Sequence, residues 1–495
     1  MPATAACASP RSAVYRRRQP ERTLLYRTVQ THLATWLALQ ADGARACAPA
    51  VSEREFRRYF ECGILAHGFA RARCADCGHD FLVACSCKCR GVCPSCITRR
   101  MVETAAHLAD YVIPRLPVRQ WVLSVPKRLR YHLERDPGVL NATLHIFLTA
   151  IERVLRQHSP GASAASHIGA VIFIHRFGAL LNTHLHFHCI VVDGVFEGDA
   201  EGGITFHPAA GLDPSAIGDV QAAVRRRLLR SVLRRGLLSA DDVQVMAEWE
   251  HGGGFSVDAE VRIEAHERDG LERLLRYCAP KVLRSCTEEV LLGCARPAFA
   301  LERLREIDPE HLVYESVKPG PGGSVSLMLT PMQLLDRLAA LIPPPRRHRH
   351  RYVGVLAPNS PLRDAVTALA QPTEIAVAPT PVESIPPGAA PTDEPTEPAH
   401  RPAARYVWAL LLARIYEVLP LLCPKCGGEM RIIAFITEGA VIREILGHLG
   451  EPTSPPRLMP ARSPPLWEMQ DSGSDAIDPQ AQPAPDYEFD QRIAW

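Results

Sequence analysis

The sequence predicts an α+β protein in which a small cysteine-rich module precedes a larger domain with an antiparallel sheet and packed helices. Three observations lead to this fold class. Eight of the 16 cysteines fall between residues 52 and 100. Predicted strands and helices are mixed after residue 110, and neighbouring strands are joined by short turns. A proline-rich stretch then separates a small C-terminal region from the rest.

Changes in composition divide the chain into six regions. They are an N-terminal helical or disordered region (1–50), a cysteine-rich domain (51–105), the sheet domain (110–371), a proline-rich linker (372–404), a small region with a Cys-x-x-Cys pair (405–450) and a disordered tail (451–495). No uninterrupted apolar run has the length of a membrane span, and a net charge of +2 gives no global signal for nucleic acid. We therefore expect no membrane partner, and any binding to nucleic acid must depend on local basic patches.

The cysteine-rich region has the spacing of a zinc site with four thiolates. The pairs Cys74/Cys77 and Cys93/Cys96 are each Cys-x-x-Cys, and fifteen residues separate them. Because the N-terminus lacks the apolar core of a secretory signal, the cysteines are expected to be reduced rather than paired in disulfides. We expect one structural Zn²⁺ at these four residues.

Other cysteines leave room for a second ion. The candidates for it are Cys62, His67, His79 and Cys87. Cys423 and Cys426 form a weaker pair, since the nearby sequence offers no two further ligands.

Hydrophobic periodicity predicts the elements of the sheet domain in chain order. A first helix, Leu24–Leu39, precedes the cysteines. The predicted strands are Gln120–Val125, Ala170–Phe177, a histidine-bearing strand that ends at Val192, Ile204–Phe206 as part of a hairpin, and Phe255–Ala265. The predicted helices are Leu140–Leu155, Val220–Leu238 and Leu271–Cys278. Their mixture supports the α+β class.

The histidine-bearing strand is the most informative segment for chemistry. His184, His186 and His188 occupy every second position, so a strand directs all three to one face and Leu185 and Phe187 to the other. Neighbouring imidazoles on a rigid strand can form part of a metal site. One ion cannot easily bind all three histidines, because the first and last are about 13 Å apart along a strand.

Two further features complete the set of candidate residues. Tyr277 lies beside the apolar stripe of its predicted helix, where its hydroxyl can face a cleft and act as a nucleophile. Two basic segments can contact phosphates, one within Val220–Leu238 and one after residue 342. Their arginines include Arg225, Arg226, Arg227, Arg230, Arg346 and Arg347.

Taken together and in order, these motifs resemble the rolling-circle HUH transposases of the insertion sequence 91 family. The resemblance covers roughly Phe56 to Leu369. It rests on the cysteine segment Cys62–Cys96, on LNTHLHFHCIVVDGVF, on GLERLLRYCA and on LDRLAALIPPPRRHRHRYVGVLAPNSPLR. It implies an N-terminal zinc-binding domain followed by an HUH endonuclease domain.

The resemblance also implies roles for individual residues. His186 and His188 match the family's metal-binding motif, with His184 as an additional residue near the site. Tyr277 matches the nucleophilic tyrosine, and because Arg273 stands four positions before it, this would be a one-tyrosine enzyme. The implied reaction is cleavage and rejoining of single-stranded DNA at transposon termini and target site, through a 5′-phosphotyrosine and with Mg²⁺ or Mn²⁺. The implied location is the bacterial cytoplasm, at the nucleoid.

The sequence leaves open the third metal ligand, the effect of a segment after Tyr277 and two alternative functions. The third ligand of the catalytic ion is not identified, and Asp258, Glu260 and Glu264 are candidates only. Where the family has Arg-Pro soon after the tyrosine, this chain first has the segment Pro280–Ala295, which resembles an insertion and can impair activity. The alternatives are a zinc-dependent DNA-binding protein without catalysis, such as a regulator or an inactivated transposase, and a zinc hydrolase that uses all three histidines.

Overall fold

The computed structural model describes residues 18–41, 49–178, 181, 183–199, 202–278, 301–315, 325–342, 350–371, 423 and 425–462. Helices and antiparallel sheets are both present, which confirms the α+β class. The linker 372–404, the basic segment around Arg346 and Arg347, and the segment Pro280–Ala295 lie outside the described residues.

A central antiparallel sheet organises the larger domain. Its strand order is β13-β4-β5-β3-β8, and β9 also pairs with β3. The strands are β3 (Val118–Ser124), β4 (Gly169–Phe177), β5 (Thr183–Val192), β8 (Ser256–Asp258), β9 (Arg262–Ile263) and β13 (His350–Gly354). A separate hairpin consists of β6 (Gly194–Gly198) and β7 (Ile204–Pro208), where a hairpin was predicted.

The predicted strand Phe255–Ala265 is broken into β8 and β9, so the prediction of one continuous strand was wrong. The cause is local. The Asp258 carboxylate accepts the backbone N–H of Glu260 at 2.9 Å, and a turn of this kind competes with the ladder hydrogen bonds of a strand. Alternation of apolar residues does not report such a turn.

Helices cover both faces of the central sheet and bury a core on each side. One face is covered by α4 (Lys127–Arg135), α5 (Pro137–Gln157), α6 (Pro214–Arg234) and α7 (Ala240–Glu248). The other is covered by α3 (Pro94–Tyr111), α8 (Arg268–Cys278) and α10 (Arg363–Ala368). Successive side chains of β5 alternate between these two cores. Phe187 and Cys189 face α5 and α6, whereas Ile190 and Val192 face α3 and α8.

Capping residues explain where the long helices begin. Asp136 accepts the backbone N–H of Gly138 at the start of α5, and Asp213 accepts that of Ala216 at the start of α6. A proline follows each cap, at a position whose missing N–H costs nothing. Among the described residues, α5 alone has the length and apolar composition of a membrane span, and half of that window is buried within the protein.

The cysteine-rich module contains a second, three-stranded sheet. Its order is β14-β1-β2, with β1 (Phe69–Cys74), β2 (Asp80–Ala84) and β14 (Met430–Ile436). The region 405–450, predicted as a unit of its own, thus contributes a strand to the N-terminal module. The helix after it, α11 (Gly439–Leu449), buries Ile442 and Leu446 against Phe69. Helix α2 (Pro49–Glu61) leads into the module.

A third sheet packs against the N-terminal helix. Strands β10 (Leu304–Asp308), β11 (His311–Glu315) and β12 (Ser326–Leu329) form it, and α9 (Pro331–Ala340) follows. These elements share a core with α1 (Leu24–Ala41), in agreement with the helix predicted there. The indole N–H of Trp36 donates to Asp336 at 2.8 Å and joins α1 to α9.

The first part of the tail is ordered against α1. The backbone N–H of Met459 donates to the carbonyl of Gln30, and that of Arg462 donates to Thr35. Residues 451–462 were predicted to be disordered because they are rich in proline. Proline does not prevent an extended segment from bonding to a helix surface, and composition alone does not reveal such a contact.

Candidate functional site

Three histidines from two neighbouring strands form one cluster on the central sheet. His175 lies on β4, and His186 and His188 lie on β5. One nitrogen of each ring lies within 4.8 Å of the corresponding nitrogen of the other two. The register explains this, since His175 is the direct cross-strand partner of His186. The third member of the cluster is therefore His175.

His184 is not part of this cluster. Its ring centroid lies 4.8 Å from that of His186, but it extends the row along β5 instead of facing the three ring nitrogens. Burial, with a smaller contribution from His186 and Arg130, lowers the pKa of His184 to about 3. His184 is therefore neutral and adjacent to the site.

Each clustered histidine has its other ring nitrogen engaged by a defined partner. Nδ1 of His186 lies 2.8 Å from the carbonyl oxygen of His184, and Nε2 of His175 lies 2.7 Å from the carbonyl oxygen of Cys278. A carbonyl can only accept, so these nitrogens carry the protons. Nε2 of His186 and Nδ1 of His175 then carry lone pairs and can ligate a metal.

The third clustered histidine, His188, also has a partner at one ring nitrogen, which is the side chain of Gln120. Its side-chain amide lies 2.7 Å from Nδ1 of His188 and 3.2 Å from Sγ of Cys278. The oxygen and nitrogen of an amide are assigned from the hydrogen-bond network. In the structure the amide nitrogen faces both partners, and it donates to Sγ of Cys278. In the flipped orientation, which has the same shape, the oxygen would accept from the imidazole N–H and from the thiol, and Nε2 of His188 would then be able to ligate a metal. Gln120 is thus a positioning residue for His188.

Tyr277 lies at the last turn of α8, next to the histidines. Its ring is edge-on to that of His188, with centroids 5.5 Å apart. The side chain is half-buried, whereas Cys278 beside it is fully buried. Burial, together with Cys278 and Asp258, raises the pKa of the Tyr277 phenol to about 12. The hydroxyl is therefore protonated at neutral pH.

The carboxylates considered as third ligands are outside the cluster that the described residues form. Asp258 acts electrostatically on Tyr277 and caps the backbone of Glu260. Glu264 pairs with Arg262. His175 was not identified from the sequence, because it is the only histidine of the mainly apolar strand AVIFIHRF and has no neighbouring ligand in the sequence pattern. Only the register between β4 and β5 brings it to the site.

Eight of the cysteines that the structure describes form two clusters of four, and the predicted grouping was wrong. Cys93 and Cys96 meet Cys62 and Cys87, while Cys74 and Cys77 meet Cys423 and Cys426. A Cys-x-x-Cys spacing shows that two sulfurs share an ion but not which second pair completes it. Here the pairs diverge because Cys74 ends β1, whereas Cys93 and Cys96 begin α3.

The cluster of Cys62, Cys87, Cys93 and Cys96 has the geometry of a tetrahedral zinc site. Sulfur–sulfur distances are 3.7 Å between Cys62 and Cys96, 3.5 Å between Cys87 and Cys96, and 3.5 Å between Cys62 and Cys93. A tetrahedron with Zn–S bonds of 2.3 Å has edges of about 3.8 Å. The backbone N–H of Cys87 also donates to Sγ of Cys62, which favours a thiolate.

Two family models match the chain. One, described as "Transposase zinc-binding domain", matches residues 29–125, and the other, described as "Putative transposase", matches residues 169–363. The second span contains all three clustered histidines and Tyr277. The chain belongs to the insertion sequence 91 family of transposases. Neither the curated proteins nor the solved structures gave a match.

The family assignment gives this transposase DNA as its substrate and Zn²⁺ as a structural ion. The first matched span includes Cys62 and the pairs Cys74/Cys77 and Cys93/Cys96, but it ends well before Cys423. The catalytic metal is not part of either description.

The arginines predicted to bind DNA have different environments in the transposase. Arg226 and Arg230 are exposed on α6, and Arg227 is half-buried. Arg225 instead donates hydrogen bonds to the carbonyls of Met246, Ala247 and Trp249, at the end of α7. Its guanidinium therefore caps a helix, and its assignment to DNA binding is not supported.

Proposed function

We propose that this transposase cleaves and rejoins single-stranded DNA at transposon ends through a covalent 5′-phosphotyrosine on Tyr277, in rolling-circle transposition. The single observation that carries the proposal is the edge-on contact between Tyr277 and His188, one of the three clustered histidines. This contact supports the proposal, because Tyr277 lies beside the residues that would hold a catalytic ion. Such an enzyme would act at the nucleoid in the bacterial cytoplasm.

The residues that would hold the ion are His175, His186 and His188. A divalent ion there polarises a phosphodiester and stabilises the negative charge that develops on it. Three imidazoles with no carboxylate among the described ligands suit Mn²⁺ better than Mg²⁺, because harder ions prefer oxygen. We assign Zn²⁺ to Cys62, Cys87, Cys93 and Cys96, as a structural ion with no open position.

The chemistry of Tyr277 follows from its hydroxyl. Oη forms a bond to phosphorus as the bond to the 3′ oxygen of the preceding nucleotide breaks. The phenol loses its proton and the departing 3′ oxygen gains one, so charge and atoms balance. Because the phosphotyrosine conserves the phosphoester bond, the reverse attack by a 3′-hydroxyl rejoins DNA without a nucleotide cofactor.

Burial of Tyr277 affects the protonation state of its phenol, and therefore its ability to act as a nucleophile. The raised pKa, about 12, keeps the phenol protonated until the charge of the site changes. A cation held by the adjacent histidines would oppose the effects of burial and of Asp258 on this pKa, since a nearby positive charge favours the phenolate. We expect the reaction to need both the tyrosine and the three histidines.

A second candidate function is a zinc-dependent DNA-binding protein without catalysis. It is favoured by one feature of the sequence: Cys278-Ala279 is repeated as Cys294-Ala295 around a segment that begins at Pro280. An insertion so close to the nucleophile can inactivate the enzyme while leaving its zinc and DNA binding intact.

The experiment that separates the two functions is a covalent capture assay. The full-length protein is incubated with single-stranded DNA that carries the element's own terminus and Mn²⁺, and a slow-migrating band is sought on a denaturing gel. We expect this band from the natural protein, its loss in Tyr277→Phe, and its retention in Tyr111→Phe, which changes an exposed tyrosine on α3. If neither the natural protein nor a variant that lacks 280–295 forms it, the non-catalytic function is correct.

A further inference from the structure

A second cluster of four cysteines is formed by residues from distant parts of the chain. Cys74 and Cys77 follow β1, whereas Cys423 and Cys426 precede β14. Their sulfur atoms all lie within 4.8 Å of one another, and the pairs Cys74/Cys426 and Cys77/Cys423 are each separated by 3.5 Å. The edge expected for a zinc tetrathiolate is about 3.8 Å. The arrangement therefore has the size of one tetrahedral site.

We propose that Cys74, Cys77, Cys423 and Cys426 bind a second structural Zn²⁺ that fastens the C-terminal segment to the N-terminal module. The matched zinc-binding family model ends at residue 125, so it does not include the second pair. The site goes beyond the DNA cleavage proposed above and does not depend on it.

The backbone makes the same turn at both cysteine pairs. The N–H of Gly78 donates to the carbonyl of Cys74, and the N–H of Gly427 donates to that of Cys423. Both glycines have a left-handed conformation, with φ of 69° and 75°. In addition, the N–H of Cys74 donates to the carbonyl of His79, just as that of Cys423 donates to Gly428. Two equivalent turns face each other across the four sulfurs, as expected for a zinc ribbon.

Packing brings the two turns together. In the antiparallel pair of β1 and β14, Cys74 is opposite Met430, and the N–H of Ala75 donates to the carbonyl of Glu429 at 3.1 Å. Gly428 lies against the Asp76 carboxylate, which would have to move to admit a Cβ atom at this position. Residues separated by 346 positions in the chain are thus held in contact.

The environment of the sulfurs distinguishes a metal site from ordinary thiols. Cys74 and Cys423 are buried with Ala72 and Met430, whereas Cys77 and Cys426 are exposed. Exposed thiols that pack beside each other would react readily with solutes. A bound Zn²⁺ would use all four sulfurs at once and protect the two exposed ones.

Metal content of the full-length reduced protein tests the proposal. We expect two zinc ions per chain in the natural protein and one in each of Cys77→Ser, Cys426→Ser and the double variant. The double variant must lose no more zinc than either single variant, because both residues bind the same ion. Cys85→Ser, which lies outside both clusters, serves as the control and should retain two. Two zinc ions in the double variant, or a loss of two ions from it, would overturn the assignment.

Alkylation of thiols supplies a readout that does not depend on total zinc. Cys77 and Cys426 should resist N-ethylmaleimide in the natural protein and react together once a chelator is added, as followed by peptide mass spectrometry. In Cys426→Ser, Cys77 should react without a chelator. Rapid modification of both in the zinc-loaded natural protein would overturn the proposal, as would an intact mass 2 or 4 Da lower that indicates disulfides in their place.

Discussion

The ring of Tyr277 meets the ring of His188 edge-on, with centroids 5.5 Å apart and an interplanar angle of 73°. The helix and the sheet are joined at the same point by Cys278. Its carbonyl accepts from His175, and its sulfur contacts the Gln120 amide that orients His188. Movement of the end of α8 would therefore disturb both the tyrosine and two of the three histidines. Tyr277, the proposed nucleophile, and the proposed metal site therefore form one structural unit.

The first prediction concerns the histidine that the sequence did not identify. His175→Ala should weaken Mn²⁺ binding and abolish covalent capture of DNA as strongly as His186→Ala or His188→Ala, because each removes one of three clustered ligands. His184→Ala is the matched control on the same sheet face and should retain most of the affinity. The measurement is calorimetric titration with Mn²⁺. Equal effects of His175→Ala and His184→Ala would show that the cluster does not bind the ion.

A second prediction tests the positioning role of Gln120. Gln120→Leu keeps the volume of this buried side chain but removes the partner of Nδ1 of His188. We expect a loss of Mn²⁺ affinity on the order of 10- to 100-fold, which is typical when a hydrogen-bond partner of a metal-ligating histidine is removed. Gln244→Leu, at an exposed position of α7, should leave the affinity unchanged. An unaltered affinity in Gln120→Leu, with thermal stability intact, would assign Gln120 to packing alone.

The third prediction separates two kinds of arginine on α6. Replacing Arg226 and Arg230 by Ala should weaken binding of single-stranded DNA and reduce its dependence on salt, because each lost phosphate contact lowers the slope of log K against log salt by roughly 0.7. Arg225→Ala should preserve that slope and lower the melting temperature, since it leaves three carbonyls at the end of α7 without their donor. Fluorescence anisotropy at several salt concentrations measures the first effect. A reduced slope of log K against log salt in Arg225→Ala would show that Arg225 contacts DNA after all.

Much of the central sheet could be predicted from the sequence, because the pattern of residues that specifies each strand is local. Strict alternation at His184, His186 and His188 specifies a strand and its faces, and the structure has β5 there. The helix that carries Tyr277 follows from apolar spacing in the same way. The predictions of helix and strand were accurate where one uninterrupted element produces the apolar pattern, as in β5 and α8.

The rest of the fold and of the candidate site depends on which elements contact each other, and local periodicity does not encode these contacts. His175 joins the site through its register with His186, and the turn at Cys74 contacts the turn at Cys423, which follows the whole sheet domain in the sequence. A break such as that after Asp258 results from one side-chain hydrogen bond that apolar alternation does not report. The residues missed or wrongly grouped are all long-range partners of residues that were correctly singled out.

The covalent intermediate can be located directly by mass spectrometry. The protein–DNA adduct formed with Mn²⁺ is treated with nuclease and then with trypsin, which should release residues 277–281 as one short peptide. We expect this peptide to carry a residual nucleotide joined through phosphate to Tyr277, and Tyr277→Phe to yield no modified peptide. A nucleotide attached to any other residue, or an adduct that survives Tyr277→Phe, would contradict the central claim that Tyr277 is the nucleophile.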